Sequence, residues 1–258
     1  MLLSPIHVSL SSMTRPRNTG RTGRAGRGAF EAAAAWPASE PARRSLTRGE
    51  IVAQALDLLD AEGFDGLSMR RLADRLGIKA ASLYNHVKDK QELLGLMADA
   101  ISAEIPDVNP AASWRRELER MAGNVRRVLL QRRDGARVLA ATFPAGPNRL
   151  RLIEQLLATL RRAGFTRAAV ADLTYILNSY VVGFVLDETS GRPAGRTDAA
   201  DARRMREAGR AWFKSLPADR YPTIVSLADE LVDAPADRRF TIGLRALLDG
   251  FASKRVRR

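Results

Sequence analysis

The stretch from Leu67 to Lys90, LSMRRLADRLGIKAASLYNHVKDK, constrains this chain more than any other. Its first part, Leu67 to Leu76, places Leu72, Ala73 and Leu76 on one helical face, with Ser68 at the cap position and Arg70, Arg71 and Arg75 outward. Gly77 stops that helix, Ile78 supplies an apolar plug, and Ala81 to Val87 make a second, very short helix carrying Ser82, Tyr84, Asn85 and His86. Two short helices around a glycine-containing turn read as helix-turn-helix. The second helix can bury little, yet it displays hydrogen-bonding side chains backed by Lys79, Lys88 and Lys90. A reader of the DNA major groove needs those properties. The same spacing occurs in all-α proteins that never meet DNA, so a head that binds another protein stands as a second reading.

The rest of the chain is helical in pattern. Thr47 and Glu50 form a capping box for a helix running to about Glu62, with Ile51, Ala55, Leu58 and Leu59 on one stripe and Gly63 at its end. Asp89 caps a further helix in which Leu93, Leu94, Met97, Ile101 and Ile105 face inward until Pro106. Beyond it, Trp114, Leu118, Met121, Val125, Val128 and Leu129 mark one helix, Arg133 to Thr142 a short segment, and Leu150, Ile153, Leu157 and Leu160 another that ends at Gly164. The helix opened by Thr166 and running to about Asp187 is the most apolar in the chain, and its wide apolar surface calls for cover on two sides, from its own core and from a partner subunit. Glu188 to Ala202 reads as a loop, and three more helices follow at about 205–216, 224–231 and 238–253. No strand signal appears. The expected fold is all-α: a head at 45–106 and a helical body at 107–254, preceded by a basic, disordered tail at 1–44. That tail is either an arginine-glycine arm for phosphates or a segment without function, including a mis-assigned start.

A net charge of +13 favours polyanionic partners, and the basic residues gather at the proposed reading end, among them Arg15, Arg17, Arg21, Arg24 and Arg27 in the tail. The chain has no cysteine, which excludes disulfides and thiolate chemistry. No run is expected to reach transmembrane length, the first residues make a poor secretory signal, and a cytoplasmic location without membrane contact is expected. The only histidines, His7 and His86, leave a serine-histidine-acid triad without a base, and neither a zinc cluster nor a phosphate loop is present. An enzyme is not expected, and no cofactor or metal is implied.

From Thr47 to Ile105 the chain resembles the N-terminal domain of TetR-family transcriptional regulators, through E-G-F-x-G-L-S-x-R-x-L-A-x-x-L-G-I at Glu62 to Ile78 and S-L-Y-x-H-V-K-x-K at Ser82 to Lys90. Residues 113 to 190 are similar to the tetracycline-repressor branch, through W-R-R-E-L, L-L-Q-R-R-D-G-A-R-V, L-x-x-L-R-R-A-G-F and G-F-V-L-D-E. The resemblance implies a homodimer on a palindromic double-stranded operator, a helical ligand-binding and dimerisation body, and control by a small-molecule effector. Groove entry would fall to Ala80, Ala81, Ser82, Tyr84 and His86, with Arg70 and Lys90 nearby. Ser82, Tyr84 and Lys90 suit phosphates, whereas Arg70, Lys79 and Asn85 suit bases, helped by the two alanine methyls. Met69 and Ala80 replace polar base-readers of the tetracycline repressors, so the operator should differ.

On the effector side the resemblance places Leu139, Pro106 and Met121 where the tetracycline repressors hold two histidines and an asparagine. A divalent ion needs oxygen and imidazole ligands, so a tetracycline-magnesium chelate is not the expected effector. The pocket implied is more apolar, with Met121, Val125, Leu139, Phe143 and Tyr180 as walls and Thr142, Asn178 and Asp187 as polar anchors. Transcriptional regulation, as a repressor or as an activator with the same head, is the expected function; a helical interaction module and a small all-α hydrolase are the alternatives.

Overall fold

A computed structural model of the chain describes residues 46–190, 199–253 and 255. The tail expectation for 1–44 lies outside them. Among the described residues the secondary structure is helical, apart from one isolated antiparallel bridge between Phe165 and Arg255.

Helix α1, Arg48–Gly66, begins as its capping box dictates: the Glu50 N–H donates to the Thr47 hydroxyl at 3.2 Å, and the Glu50 carboxylate accepts the Thr47 N–H at 2.9 Å. Ile51, Ala55, Leu58 and Leu59 are buried, and Gly63 breaks the helix with φ 76° and ψ 178°, a conformation barred to a side chain. Helix α2, Met69–Arg75, is capped by Ser68, whose hydroxyl accepts the Arg71 N–H at 3.3 Å; Gly77, at φ 66°, turns the chain. Helix α3, Ala80–Tyr84, is five residues long, starting one residue earlier and ending three earlier than the expected Ala81 to Val87. The difference has a cause. The His86 and Val87 N–H groups both return to the Leu83 carbonyl, and Arg48 Nε donates to the His86 carbonyl at 2.9 Å, so the chain folds back before a second turn forms.

Helix α4, Lys90–Ala103, is capped by Asp89, which accepts the Glu92 N–H at 2.8 Å. Leu93, Leu94, Met97, Ala98 and Ile101 are buried, and α4 packs against α1 on one side and the body on the other. The body contains α5 (Trp114–Gln131), α6 (Gly135–Ala140), α7 (Pro147–Arg162), α8 (Arg167–Thr189), α9 (Ala199–Lys214), α10 (Pro222–Ser226), α11 (Ala228–Asp233) and α12 (Ala236–Ala252). The expected loop is shorter than Glu188 to Ala202: α8 continues through Thr189, and α9 already starts at Ala199. The expected helix at 224–231 is two helices meeting at Leu227.

Two apolar patterns also need correction. Helix α7 buries Leu152, Leu156 and Leu160, while Leu150 points outward. Its rotation is set at its start, where Pro147 occupies the first turn and Asp99 of α4 accepts the N–H groups of Asn148 and Arg149 at 2.8 and 3.1 Å. Helix α8, with 23 residues and a mean hydropathy of 1.5 in its most apolar window, is long and apolar enough to cross a membrane, contrary to the sequence expectation. In this fold it is a bundle helix. Val170, Leu173, Leu177, Val181 and Val185 are buried, and it packs against α5, α6, α7 and α12. Ile176 is exposed on its other face, and Tyr175 beside it is exposed too.

Candidate functional site

The reading surface is built on very little buried material. In α3 only Leu83 is buried, and it anchors Lys79, Ala80, Ala81, Ser82, Tyr84 and Asn85, all exposed, around it. Arg70 is also exposed, and neither its side chain nor those of Lys79, Ser82, Tyr84 and Asn85 bonds within the described residues. These groups are free for an external partner. His86 is half-buried and pinned by its carbonyl. Lys90 is half-buried too, with its ammonium 5.3 Å from the centre of the Phe64 ring. Met69 is 8% exposed and belongs to the core, so only Ala80 carries the argument for an altered operator. Arg71 pairs with Glu62, and Arg75 Nε donates to Gln54 at 3.3 Å; both therefore stay with the scaffold.

Behind the head, α5 to α8 enclose a cavity of about 430 Å³. Of the expected ligand residues, Met121, Val125, Leu139, Thr142 and Asn178 line it. Phe143, Tyr180 and Asp187 do not. Phe143 is 83% exposed, one residue beyond the turn that ends α6. Tyr180 faces α12, stacking on Phe240 with ring centres 5.5 Å apart and donating its hydroxyl to the Phe240 carbonyl at 2.7 Å. Asp187 lies exposed near the end of α8. The cavity also has walls the sequence reading missed: Arg149, Leu152 and Leu156 from α7, and Thr174, Tyr175 and Val181 from α8. Arg149 was missed because the 150/153/157/160 stripe leaves it at the edge of the inward face, whereas the structure centres that face on Arg149, Leu152, Leu156 and Leu160.

A second omission is a charged strut between body and head. The segment Arg132, Arg133, Asp134 and Arg137, quoted above as part of a motif but given no role, meets the end of α1. Arg132 pairs with Asp60 at 3.1 Å and with Glu104 at 2.9 Å; Arg133 donates to the Ala61 carbonyl at 2.7 Å. Arg137 grips Asp65 with two bonds, at 2.8 and 2.9 Å, and its guanidinium lies 4.6 Å from the Phe64 ring centre. Phe64 thus lies within cation–π range of both Lys90 of the head and Arg137 of α6. The Arg137 hydrogen bond, against a smaller opposing effect of burial, holds the Asp65 carboxyl below its ordinary pKa, and the same bond raises Arg137. Asp134 caps α6 in left-handed backbone, φ 56°, and accepts the Phe64 N–H at 2.8 Å. A basic pair and a third arginine crowded around an Asp-Gly between helices were the available signal.

A head with exposed, unbonded side chains around one buried leucine, and a body that holds a cavity and meets the head along α4 and through a charged strut, are the parts a ligand-responsive DNA-binding regulator needs. Comparison with known sequences gives its family. Residues 51–97 match the bacterial regulatory proteins of the tetR family, and residues 105–255 match the tetracyclin repressor-like C-terminal domain. The chain belongs to the TetR family of helix-turn-helix transcriptional regulators. It is 42% identical over 181 residues to an HTH-type transcriptional regulator of Saccharopolyspora erythraea, covering 67% of this chain and 76% of that one. Identity to the HTH-type transcriptional repressor DrrR1 of Streptomyces coeruleorubidus is 33% over 258 residues, covering 93% and 94%. Among solved structures, the Streptomyces coelicolor TetR family protein ActR in complex with actinorhodin superposes with a TM-score of 0.70 at 35% identity, covering 81% of this chain and 97% of that one. Regulators of this family bind operator DNA, dimerise and bind small molecules.

Proposed function

We propose that this chain represses transcription as a cytoplasmic homodimer on a near-palindromic operator and leaves it when a small molecule enters the α5–α8 cavity. The division of labour falls at Pro106, with 45–106 reading DNA and 107–254 holding ligand and partner. Ser82, Tyr84 and Lys90 fix the head on phosphates; Arg70, Lys79 and Asn85, with the methyls of Ala80 and Ala81, read bases, and His86 holds the end of α3 in place. Two-fold protein symmetry requires two-fold operator symmetry. The exposed face of α8 around Ile176 suits the partner subunit.

One observation carries the reading: the cavity wall and the strut share a single short helix. Leu139 and Ala140 of α6 line the cavity, while Arg137 and Asp134 of the same segment hold Asp65 and Phe64 of the head. A ligand that displaces α6 must therefore move the head or break those bonds. It shifts occupancy only by its differential affinity for the two states, typically about 1–3 kcal/mol. The effector differs from a tetracycline-magnesium chelate, because Leu139 and Met121 on the wall offer a divalent ion no ligand. The chain acts by binding, without catalysis and without a membrane.

The test is a footprint on DNA flanking the chain's own gene. A protected two-fold site, affinity falling steeply with added salt, and loss of protection in Tyr84→Ala with the dimer intact are the expected results. Undiminished protection by Tyr84→Ala would show that α3 is not the reading helix.

A further inference from the structure

Arg149 brings a positive charge to a cavity whose walls are mostly apolar. One of its nitrogens is spent on Thr142, donating to the hydroxyl at 2.6 Å and the carbonyl at 3.3 Å. Among the described residues no carboxylate stands within ion-pairing distance of the guanidinium. Asp99, whose charge it feels, is committed to the backbone N–H groups of Asn148 and Arg149 and to the Asn148 amide. Nearby arginines are paired: Arg126 with Glu188, Arg132 with Asp60 and Glu104, Arg151 with Asp107. Burial draws the Arg149 pKa down, and the charge of Asp99 opposes this only in part. A guanidinium nevertheless stays protonated, so a desolvated charge with unused donors faces the cavity.

A second observation comes from α8. Thr174 Oγ1 is buried without a hydrogen-bond partner, and it lines the same cavity. One turn further along α8 stands Asn178, also on the wall. A cation with spare donors and a hydroxyl with no partner, in a lining that is otherwise mostly apolar, are complementary to one chemistry.

We infer that the effector is an apolar small acid: its body fills the apolar part of the cavity, and a carboxylate, or an equivalent delocalised oxyanion such as an ionised phenol or enol, is held by the free edge of the Arg149 guanidinium while Thr174 donates from α8. The inference rests on the effector reading above and names its ligand class. It also supplies a route to the head. Arg149 is bonded to Thr142, whose hydroxyl in turn donates to the Val138 and Leu139 carbonyls at 3.1 and 3.2 Å, so an anion that draws Arg149 acts directly on the end of α6.

Calorimetry on the full chain with two matched probes, anthraquinone-2-carboxylic acid and its neutral carboxamide, tests this. The wild type should bind the acid at least about tenfold more tightly than the amide, the yield of a charge-assisted hydrogen bond. Arg149→Met should abolish that preference and Arg149→Lys should restore part of it. Thr174→Val, which leaves the Arg149–Thr142 bonds in place, should weaken the acid by about threefold. Equal affinity for the two probes, binding of neither, or a preference that survives Arg149→Met overturns the acid assignment. Failure of the cavity reading is separable: filling the cavity with Leu139→Trp should block both probes, and undiminished binding there would put the ligand elsewhere.

Discussion

Replacing Asp134 by alanine, glycine and asparagine separates two contributions that meet at one residue. Its carboxylate accepts the Phe64 N–H at 2.8 Å with the side chain 24% exposed. A hydrogen bond to a charged group of this kind contributes about 1.5–3 kcal/mol. Its backbone sits at φ 56°, which costs a residue with a Cβ about 1–2 kcal/mol unless a short polar side chain bonds locally. Alanine loses the bond and meets the full backbone cost, so about 2.5–5 kcal/mol of destabilisation is expected. Glycine loses the bond but adopts the conformation freely, for about 1–2.5 kcal/mol after its own unfolded-state entropy. Asparagine keeps an acceptor oxygen and tolerates the geometry, for about 1 kcal/mol or less. At roughly 2–4 °C per kcal/mol for a domain of this size, alanine should lower the Tm by about 5–20 °C. Urea and thermal unfolding give the order, and operator titration with and without ligand gives the coupling, which should shrink most in Asp134→Ala. Glycine as damaging as alanine would refute the backbone argument. An alanine variant within about 0.5 kcal/mol of wild type would refute both.

Gly63→Ala should destabilise the chain and loosen the head, since its φ of 76° is unfavourable to alanine and an added Cβ would lie 2.9 Å from both Arg133 Nη2 and Asp134 Oδ2; a fully stable variant with wild-type operator affinity would contradict this. Gly243→Ala would drive its methyl to 3.0 Å from two ring carbons of Tyr180, and overpacking by about 1–3 kcal/mol is expected. Tyr180→Phe in that background should recover part of the loss, and no recovery would place the strain elsewhere. The Asp65 carboxyl, depressed by Arg137, contributes to the strut at every pH above its unfolded value and loses that contribution as pH falls through its lower folded value. Carbon-detected NMR titration should find Asp65 below about 3.9, the ordinary aspartate value, and returning to it in Arg137→Gln; an unshifted wild-type curve would remove the pair from the argument.

The head was legible almost residue by residue because its signals are local: Thr47 with Glu50, Ser68, Gly77 and Asp89 each fix a boundary through a bond to a neighbour a few positions away. The length of α3 was not, because its end is imposed by Arg48, 38 residues upstream, holding the His86 carbonyl. The cavity was half legible. Helical spacing already turned Met121 and Val125 inward, and the family resemblance pointed to Leu139, Thr142 and Asn178. Arg149 was missed since the rotation of α7 is decided by Asp99 on another helix, and the partners of Tyr180 on α12 are equally remote in sequence. Met69, which the family resemblance placed among the base-reading positions, is claimed by the head's own core.

Leu83 alone fastens α3 to its platform, and the side chains around it rest on nothing. Exchanging such exposed residues usually changes stability by no more than about 0.5 kcal/mol. On the proposed reading, specificity for a DNA sequence can therefore be rewritten at Lys79, Ala80, Ala81 and Asn85 without renegotiating the scaffold. One sturdy body can serve many promoters across generations by swapping a handful of letters on a removable key.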